Sequence, residues 1–224
     1  MYWLVTCSVV NVVIMGRQRM TGEQRREQLI SIGRTLFAER GFDGASVEEV
    51  AARAEVSKPV VYEHFGGKEG LYSAVVDRDM QALEQTMTQS LAQGTARQRI
   101  ESAVLALLTF IEENSDGFQI LVRDMSQPAD PQSGLSPRTY STLLNDIVGQ
   151  VSHILAESFR QKGYDPQQAV LYGQALVGMI SMTSQWWLDK REPSKEVVAT
   201  HIVNLCWNGL ARLEKNPQLS QGEH

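Results

Sequence analysis

Between Ser46 and Phe65 the chain has room for two short helices and very little between them. Ser46-Val47-Glu48-Glu49 opens the first. Serine followed three residues later by glutamate predicts a capping box, in which two orphan backbone donors are satisfied reciprocally. Val47, Val50, Ala51 and Ala54 then share one apolar stripe. Ser57 predicts the cap of the second helix, with Pro59 in its first turn, where a missing N–H costs little. Only Glu55 and Val56 precede that cap. Two helices joined this tightly make a helix-turn-helix unit.

The surrounding sequence reads as helix throughout, which predicts an all-α fold of about nine helices. No segment shows strand alternation flanked by hairpin turns. Leu29, Ile32, Leu36 and Phe37 fall at helical spacing, and Gly41 stands where a C-terminal cap belongs. A fourth helix is predicted from Lys68 to Leu91, ended by Gly94. Others follow at roughly 96–114, 116–125, 137–162, 166–189 and 195–213. Gln127 to Ser136 holds two prolines and a glycine and reads as a loop. Gly163 closes one long helix, Asp165-Pro166 opens the next, and Pro193-Ser194 separates the last two.

Composition narrows the function classes. In 224 residues, 42% are hydrophobic and 21% charged, which excludes a disordered chain or a polytopic membrane protein. The net charge of −5 disfavours a non-specific coat for nucleic acid. Residues 1–80 are near neutral, with ten Lys/Arg against eleven Asp/Glu, so the acidity lies mostly beyond them. Cys7 and Cys206 can build neither a disulfide framework nor a structural zinc site, as suits a reducing cytoplasm. Residues 1–20 open with MYWLVTCSVVNVVIM. Their apolar run is interrupted at Thr6, Ser8 and Asn11, and Arg17 and Arg19 follow rather than precede it. A loose or mis-annotated extension, with translation starting at Met15 or Met20, is expected rather than a signal or anchor.

A helix-turn-helix can lay its second helix in a major groove, with the N-terminal residues against base edges. Here those residues are Lys58, Pro59 and Val60, after the Ser57 cap. Lysine can donate to guanine O6/N7, and valine can touch a thymine methyl. Tyr62, His64 and Lys68 carry donors suited to phosphate oxygens. Spacing alone also fits an ordinary helix pair, with Tyr62 and Phe65 as core aromatics and His64 incidental.

Phe37-Ala38-Glu39-Arg40-Gly41-Phe42-Asp43-Gly44-Ala45-Ser46, Val50-Ala51, Val56 through Phe65, and Lys68-Glu69-Gly70-Leu71 closely resemble the TetR/AcrR family of bacterial transcriptional regulators. The resemblance implies a three-helix DNA-binding domain at 21–67 and a larger helical ligand-binding and dimerisation domain at 68–216, with a tail at 217–224. It implies that Ser46, Tyr62, His64 and Lys68 grip phosphates, that Lys58, Pro59 and Val60 face bases, and that Phe37 and Phe65 are core. Glu55 departs from the pattern, which often has glycine in the turn. A glutamate there is strained if the turn needs positive φ.

Phe110-Ile111-Glu112 to Gly117-Phe118-Gln119, Ala175 to Met179 with Trp186 to Asp189, and Trp207 to Leu210 are similar to actinobacterial TetR-type regulators of fatty-acid synthesis. That similarity implies a long-chain acyl-CoA effector. Apolar stripes offer a lining: Leu107, Phe110, Ile111, Phe118 and Leu121; Leu144 and Val148; Tyr172, Met179, Met182 and Trp186. The same stripes also read as plain core. Arg123, Arg138 or Arg160 could hold an anionic head group. Gly173 and Gly178 permit close helix approach at a two-fold interface, with Trp207 and Leu210 as its seam.

Enzymatic readings find little support. Gly66-Gly67-Lys68-Glu69 lacks the first glycine and the Ser/Thr of a phosphate loop. His64, His153, His201 and His224 make no metal-ligand pair, so neither cofactor nor metal is expected. The expectation is a cytoplasmic, homodimeric, ligand-responsive regulator, a repressor on a palindromic double-stranded operator, with no membrane partner. An activator, a ligand-independent regulator, or a helical carrier with a vestigial DNA module are the alternatives.

Overall fold

The computed structural model describes residues 20–124, 139–214 and 217. The expectations for residues 1–19, the 127–136 loop, Arg138, His224 and most of the 217–224 tail lie outside the described residues. Nine α-helices and one short 3-10 turn occur among the described residues: α1 (Gly22–Gly44), α2 (Val47–Arg53), α3 (Lys58–Phe65), α4 (Lys68–Leu91), α5 (Ala96–Glu113), α6 (Ser115–Asp124), α7 (Tyr140–Lys162), the turn Pro166–Gln168, α8 (Ala169–Lys190) and α9 (Lys195–Ala211). No strand occurs among the described residues.

Polar caps set several of these boundaries. Thr21 with Gln24, Thr95 with Gln98, and Thr139 with Thr142 form reciprocal boxes at the starts of α1, α5 and α7. The last of these begins α7 at Tyr140 rather than near 137. Gly163 ends α7 with φ 73, and Asp165 then accepts from the Gln167 amide at 2.9 Å to open the next segment. Gly41, at φ 71, kinks the end of α1, and the chain turns once more before Ala45.

The buried side chains form one continuous cluster from Leu29 in α1 to Cys206 in α9. In the N-terminal part Leu29, Leu36, Phe37, Val50, Val61 and Leu71 are fully enclosed. Phe37, Phe42 and Tyr72 stack there in one aromatic group with centroids 5.0–6.3 Å apart. α4 runs from this unit into the helical body, where it packs on α5, α6 and α7. α7 pairs with α8 and α5 with α9. No described helix is long and apolar enough to cross a membrane.

Candidate nucleic-acid interface and effector cavity

The turn between α2 and α3 is closed by two backbone bonds, Val56 N to Ala51 O at 2.9 Å and Glu55 N to Ala52 O at 3.2 Å. That is the six-to-one and five-to-two pattern of a Schellman cap, which needs one left-handed residue. Glu55 supplies it at φ 54, so the strain expected from the missing glycine is present. At the start of α2, Ser46 Oγ accepts from Glu49 N at 3.2 Å. Only that half of the expected box forms: the Glu49 carboxylate pairs instead with Arg40 at 2.7 Å and Arg53 at 3.1 Å. Arg53 also reaches Glu39, which holds that carboxyl below its ordinary range.

α3 is fixed by Val61, fully buried, and by half-buried Val60 and Phe65. Ser57, Lys58, Pro59 and Tyr62 stand outward. Ser57 occupies the cap position but its hydroxyl makes no cap bond. Lys58 pairs with Glu48 of α2, and its ammonium lies 5.6 Å from the Tyr62 ring centre. The pairing raises the Lys58 pKa and lowers that of Glu48. His64 is half-buried beside Phe65.

Gly66 and Gly67, both at positive φ, turn the chain into α4, whose start has no side-chain cap. Gly70 lies so close to the Phe65 carbonyl that any side chain there would collide with it. Lys68 corrects an expectation. Its ammonium points inward, donating to Phe42 O at 2.9 Å and Ala45 O at 3.3 Å, 4.3 Å from the Phe42 ring centre. It ties α4 to the α1–α2 corner, so its carbonyl bonds compete with a phosphate contact.

Two apolar cavities adjoin inside the body. The inner one, about 50 Å³, lies among Leu83, Met87, Leu107, Tyr140, Leu144 and Ser181. The outer one, about 60 Å³, reaches Arg99, Ser158, Lys162 and Trp207. Leu91 and Val151 line both, so the two share a wall and follow one another along α7 as a partitioned passage. Its cations are Arg99 and Lys162, which the sequence reading missed. Extending the Leu107 stripe back by four-residue steps to Ala103 and Arg99 would have found the first. Of the expected cations, Arg160 pairs with Glu157, and Arg123 donates to Ala38 O at 2.7 Å. A larger concavity of about 490 Å³ lies between α5 and α9, open and lined by Arg97, Glu101, Glu196 and His201. Its width and charged walls make it a surface groove, not an enclosed site.

The expected lining divides accordingly. Leu107 and Leu144 face the passage. Phe110, Ile111, Phe118, Leu121 and Val148 are packed core, Tyr172 stacks on Phe159, and Met179 is half-buried. Met182 and Trp186 are corrections: they lie on the outer face of α8, 65% and 52% exposed, with Leu171, Ala175 and Gly178. Three residues expected at a dimer seam face inward instead. Gly173 sits against Ser152 of α7, while Trp207 and Leu210 line the outer cavity.

α6 links this body to the α1–α3 unit, packing on α1 and α4. Arg34 of α1 meets Asp79 of α4 at 3.2 Å and donates to Asn114, just before α6, at 3.2 Å. Gly117 of α6 lies against the Asp79 carboxylate, where a methyl would collide. Burial pushes the Asp79 pKa up; Arg34 and Arg78 oppose this, and Asp116 adds to it.

Residues 29–75 match the family described as "Bacterial regulatory proteins, tetR family", and 85–221 match "Tetracyclin repressor-like, C-terminal domain". The chain belongs to the TetR family of transcriptional regulators. It is 30% identical over 197 residues, 87% of each chain, to the HTH-type transcriptional activator FasR of Mycolicibacterium smegmatis. It is 29% identical over 110 residues, 48% of this chain and 54% of the relative, to the HTH-type transcriptional repressor DhaR of a Mycobacterium species. A TetR-like regulator from Rhodococcus sp. RHA1 has the same fold, with a TM-score of 0.70 and 24% identity over 86% of this chain and 99% of that one.

Proposed function

We propose that this regulator binds a palindromic operator as a homodimer and that an amphipathic effector in the α7 passage weakens the binding. The observation that carries the reading is α3. Its inner side is locked by Val61 while Ser57, Lys58, Pro59 and Tyr62 stand outward on its N-terminal half. That is the half a recognition helix turns toward base edges. Lys58 and the edge of Val60 would read bases; Tyr62, beside the uncapped start of α4, would meet a phosphate that the α4 amides also reach. Ser46 and His64 flank that contact. On this reading residues 21–67 form the DNA-binding unit and 68–216 the effector and dimer unit.

The outer face of α8 and α9, with Leu171, Met182, Trp186 and Leu205 exposed, would be covered by a second copy. α8 is apolar on both sides, and such a helix is normally buried all round. The dimer would then set two α3 helices into grooves about 34–36 Å apart.

The passage suits a long apolar chain with an anionic head at Arg99 and Lys162, which agrees with the resemblance to regulators of fatty-acid synthesis. A long-chain acyl-CoA is the proposed effector. The passage as it stands is far smaller than the roughly 300 Å³ at which ligand pockets begin, so such a ligand would have to part its walls. Tyr140 at its inner end stacks edge-on against Phe118 of α6 at 5.6 Å. Displacement there would pass to α6 and, through Arg123 and Arg34, to α1. The size of the response is bounded by the effector's preference for one arrangement over the other. FasR is named an activator and DhaR a repressor. The sign of regulation therefore follows where the operator lies; repression is the default proposed here.

The test is a binding titration against DNA upstream of its own gene, with excess unrelated DNA and a salt series, repeated with hexadecanoyl-CoA. Competitor-resistant binding that weakens with the thioester is the expected outcome. Binding no better than to unrelated DNA, there and in a random-sequence selection, would favour a helical carrier with a vestigial DNA module.

A further inference from the structure

Three side chains meet where α1, α4 and the start of α6 converge, and two of them are poorly served. Arg34 Nε lies 3.2 Å from Asp79 Oδ2, yet both atoms are sealed from solvent without a hydrogen-bond partner among the described residues. The Asp79 side chain is only 5% exposed. Arg78, the other cation near Asp79, is engaged with Glu27 at 2.6 Å.

The cause is a divided donor edge. Nε–H and one Nη–H of a guanidinium point the same way and match the two oxygens of a carboxylate. On Arg34, Nη2 donates to Asn114 Oδ1 at 3.2 Å, so Nε meets Asp79 out of line. The other partner is held as well. The backbone of Gly117 lies so close to the Asp79 carboxylate that a methyl there would collide with it. Asn114 stands directly before α6, and Gly117 lies in its first turn. One short segment therefore draws Arg34 aside and hems in Asp79. A buried carboxylate beside a guanidinium that does not bond it costs stability, and both groups gain when the pair closes side-on.

We propose that residues 114–117 are a wedge that keeps the Arg34–Asp79 pair open in the operator-binding form, and that withdrawing the wedge closes the pair and turns α1 against α4. Assigning the open pair to that form rests on the effector reading above, in which the closed passage belongs to the form that binds DNA. Phe118, next to the wedge, stacks on Tyr140 in the passage wall, so parting the walls acts on α6 at this point. Arg34, Asp79 and Asn114 are positioning residues: they act by setting where α1–α3 stands.

The test is a double-mutant cycle on the full chain, without effector. Asn114→Ser is too short to reach Arg34 and keeps a polar residue ahead of α6. It should weaken binding to the best sequence from a random-sequence DNA selection by about tenfold, the low end for a charge-assisted hydrogen bond. Asp79→Asn alone should leave that affinity nearly unchanged, and added to Asn114→Ser it should restore most of the loss. A merely structural role would make the effects add. The same cycle read by urea unfolding needs no DNA. Asp79→Asn should be neutral or stabilising in wild type but destabilising in Asn114→Ser, where it breaks a formed pair, a difference of about tenfold in the unfolding constant. Asn114→Ala is the second variant should the serine fail to fold. Unchanged or tighter DNA binding in Asn114→Ser, no rescue by Asp79→Asn, or equal effects of Asp79→Asn on unfolding in both backgrounds overturns the wedge. If the selection yields no sequence, the operator reading fails on its own, and the unfolding cycle decides whether the pair is held open.

Discussion

Lys58 reaches across the turn to Glu48, so the cation proposed above to read a base is already paired within the protein. Glu48→Gln should raise affinity for operator and unrelated DNA alike, by roughly two- to fivefold, the scale of an exposed charge pair. Anisotropy titrations at fixed salt would show it, and unchanged affinity would mean that Glu48 lies clear of the phosphates. Glu55 raises a separate question of backbone strain. A non-glycine residue in the left-handed region costs about 1 kcal/mol, and Glu55 sits there at φ 54. Glu55→Gly should therefore raise the melting temperature by about 2–4 °C. A fall in melting temperature would show that contacts of the glutamate outweigh its strain.

Helix positions were legible because their ends carry chemistry. Ser46, Ser57, Gly163 and Asp165 each marked a boundary, and α4 and α5 begin where their sequences predict. Helix faces were less legible. In α8 the stripe through Leu171, Ala175, Met182 and Trp186 is more apolar than the opposite one, where Gly173, Ser181 and Ser184 lie among Leu176, Val177 and Trp187. Hydrophobic periodicity alone cannot say which of two apolar faces meets its own chain. Ser46 and Ser57 stand at the cap positions their sequence predicts, but Ser57 makes no cap bond and the Glu49 carboxylate turns to Arg40 and Arg53; the inward turn of Lys68 did not announce itself, because its acceptors are backbone carbonyls with no sequence signature. The α1–α4–α6 junction yields a pH prediction. A raised Asp79 pKa means that ionisation opposes folding. Its contribution to stability is therefore fully present below the ordinary aspartate value, about 3.9, and is lost as pH rises through the folded value. Asp79→Asn should flatten that part of the stability profile, measured by denaturation across the acid range. An unaltered profile would remove Asp79 as its source.

At the scale of the whole molecule, the exposed α8–α9 face predicts the assembly. Met182→Asp/Trp186→Asp should give a monomer by sedimentation equilibrium, with helical content kept and operator affinity reduced by at least about a hundredfold, since paired half-sites no longer share one body. A dimer that survived would put the two-fold axis elsewhere. α4 joins the two ends of the molecule. It starts at Lys68, clasped to the α1–α2 corner, and ends at Leu91 in the passage wall. Asp79, halfway along, is where Arg34 and the bare backbone of Gly117 hold it. A rod about 36 Å long pinned at its midpoint is a balance beam with equal arms. If the effector proposed above displaces the far arm, a rigid α4 turning about that midpoint would return the motion at the near arm with about the same amplitude and the opposite sign.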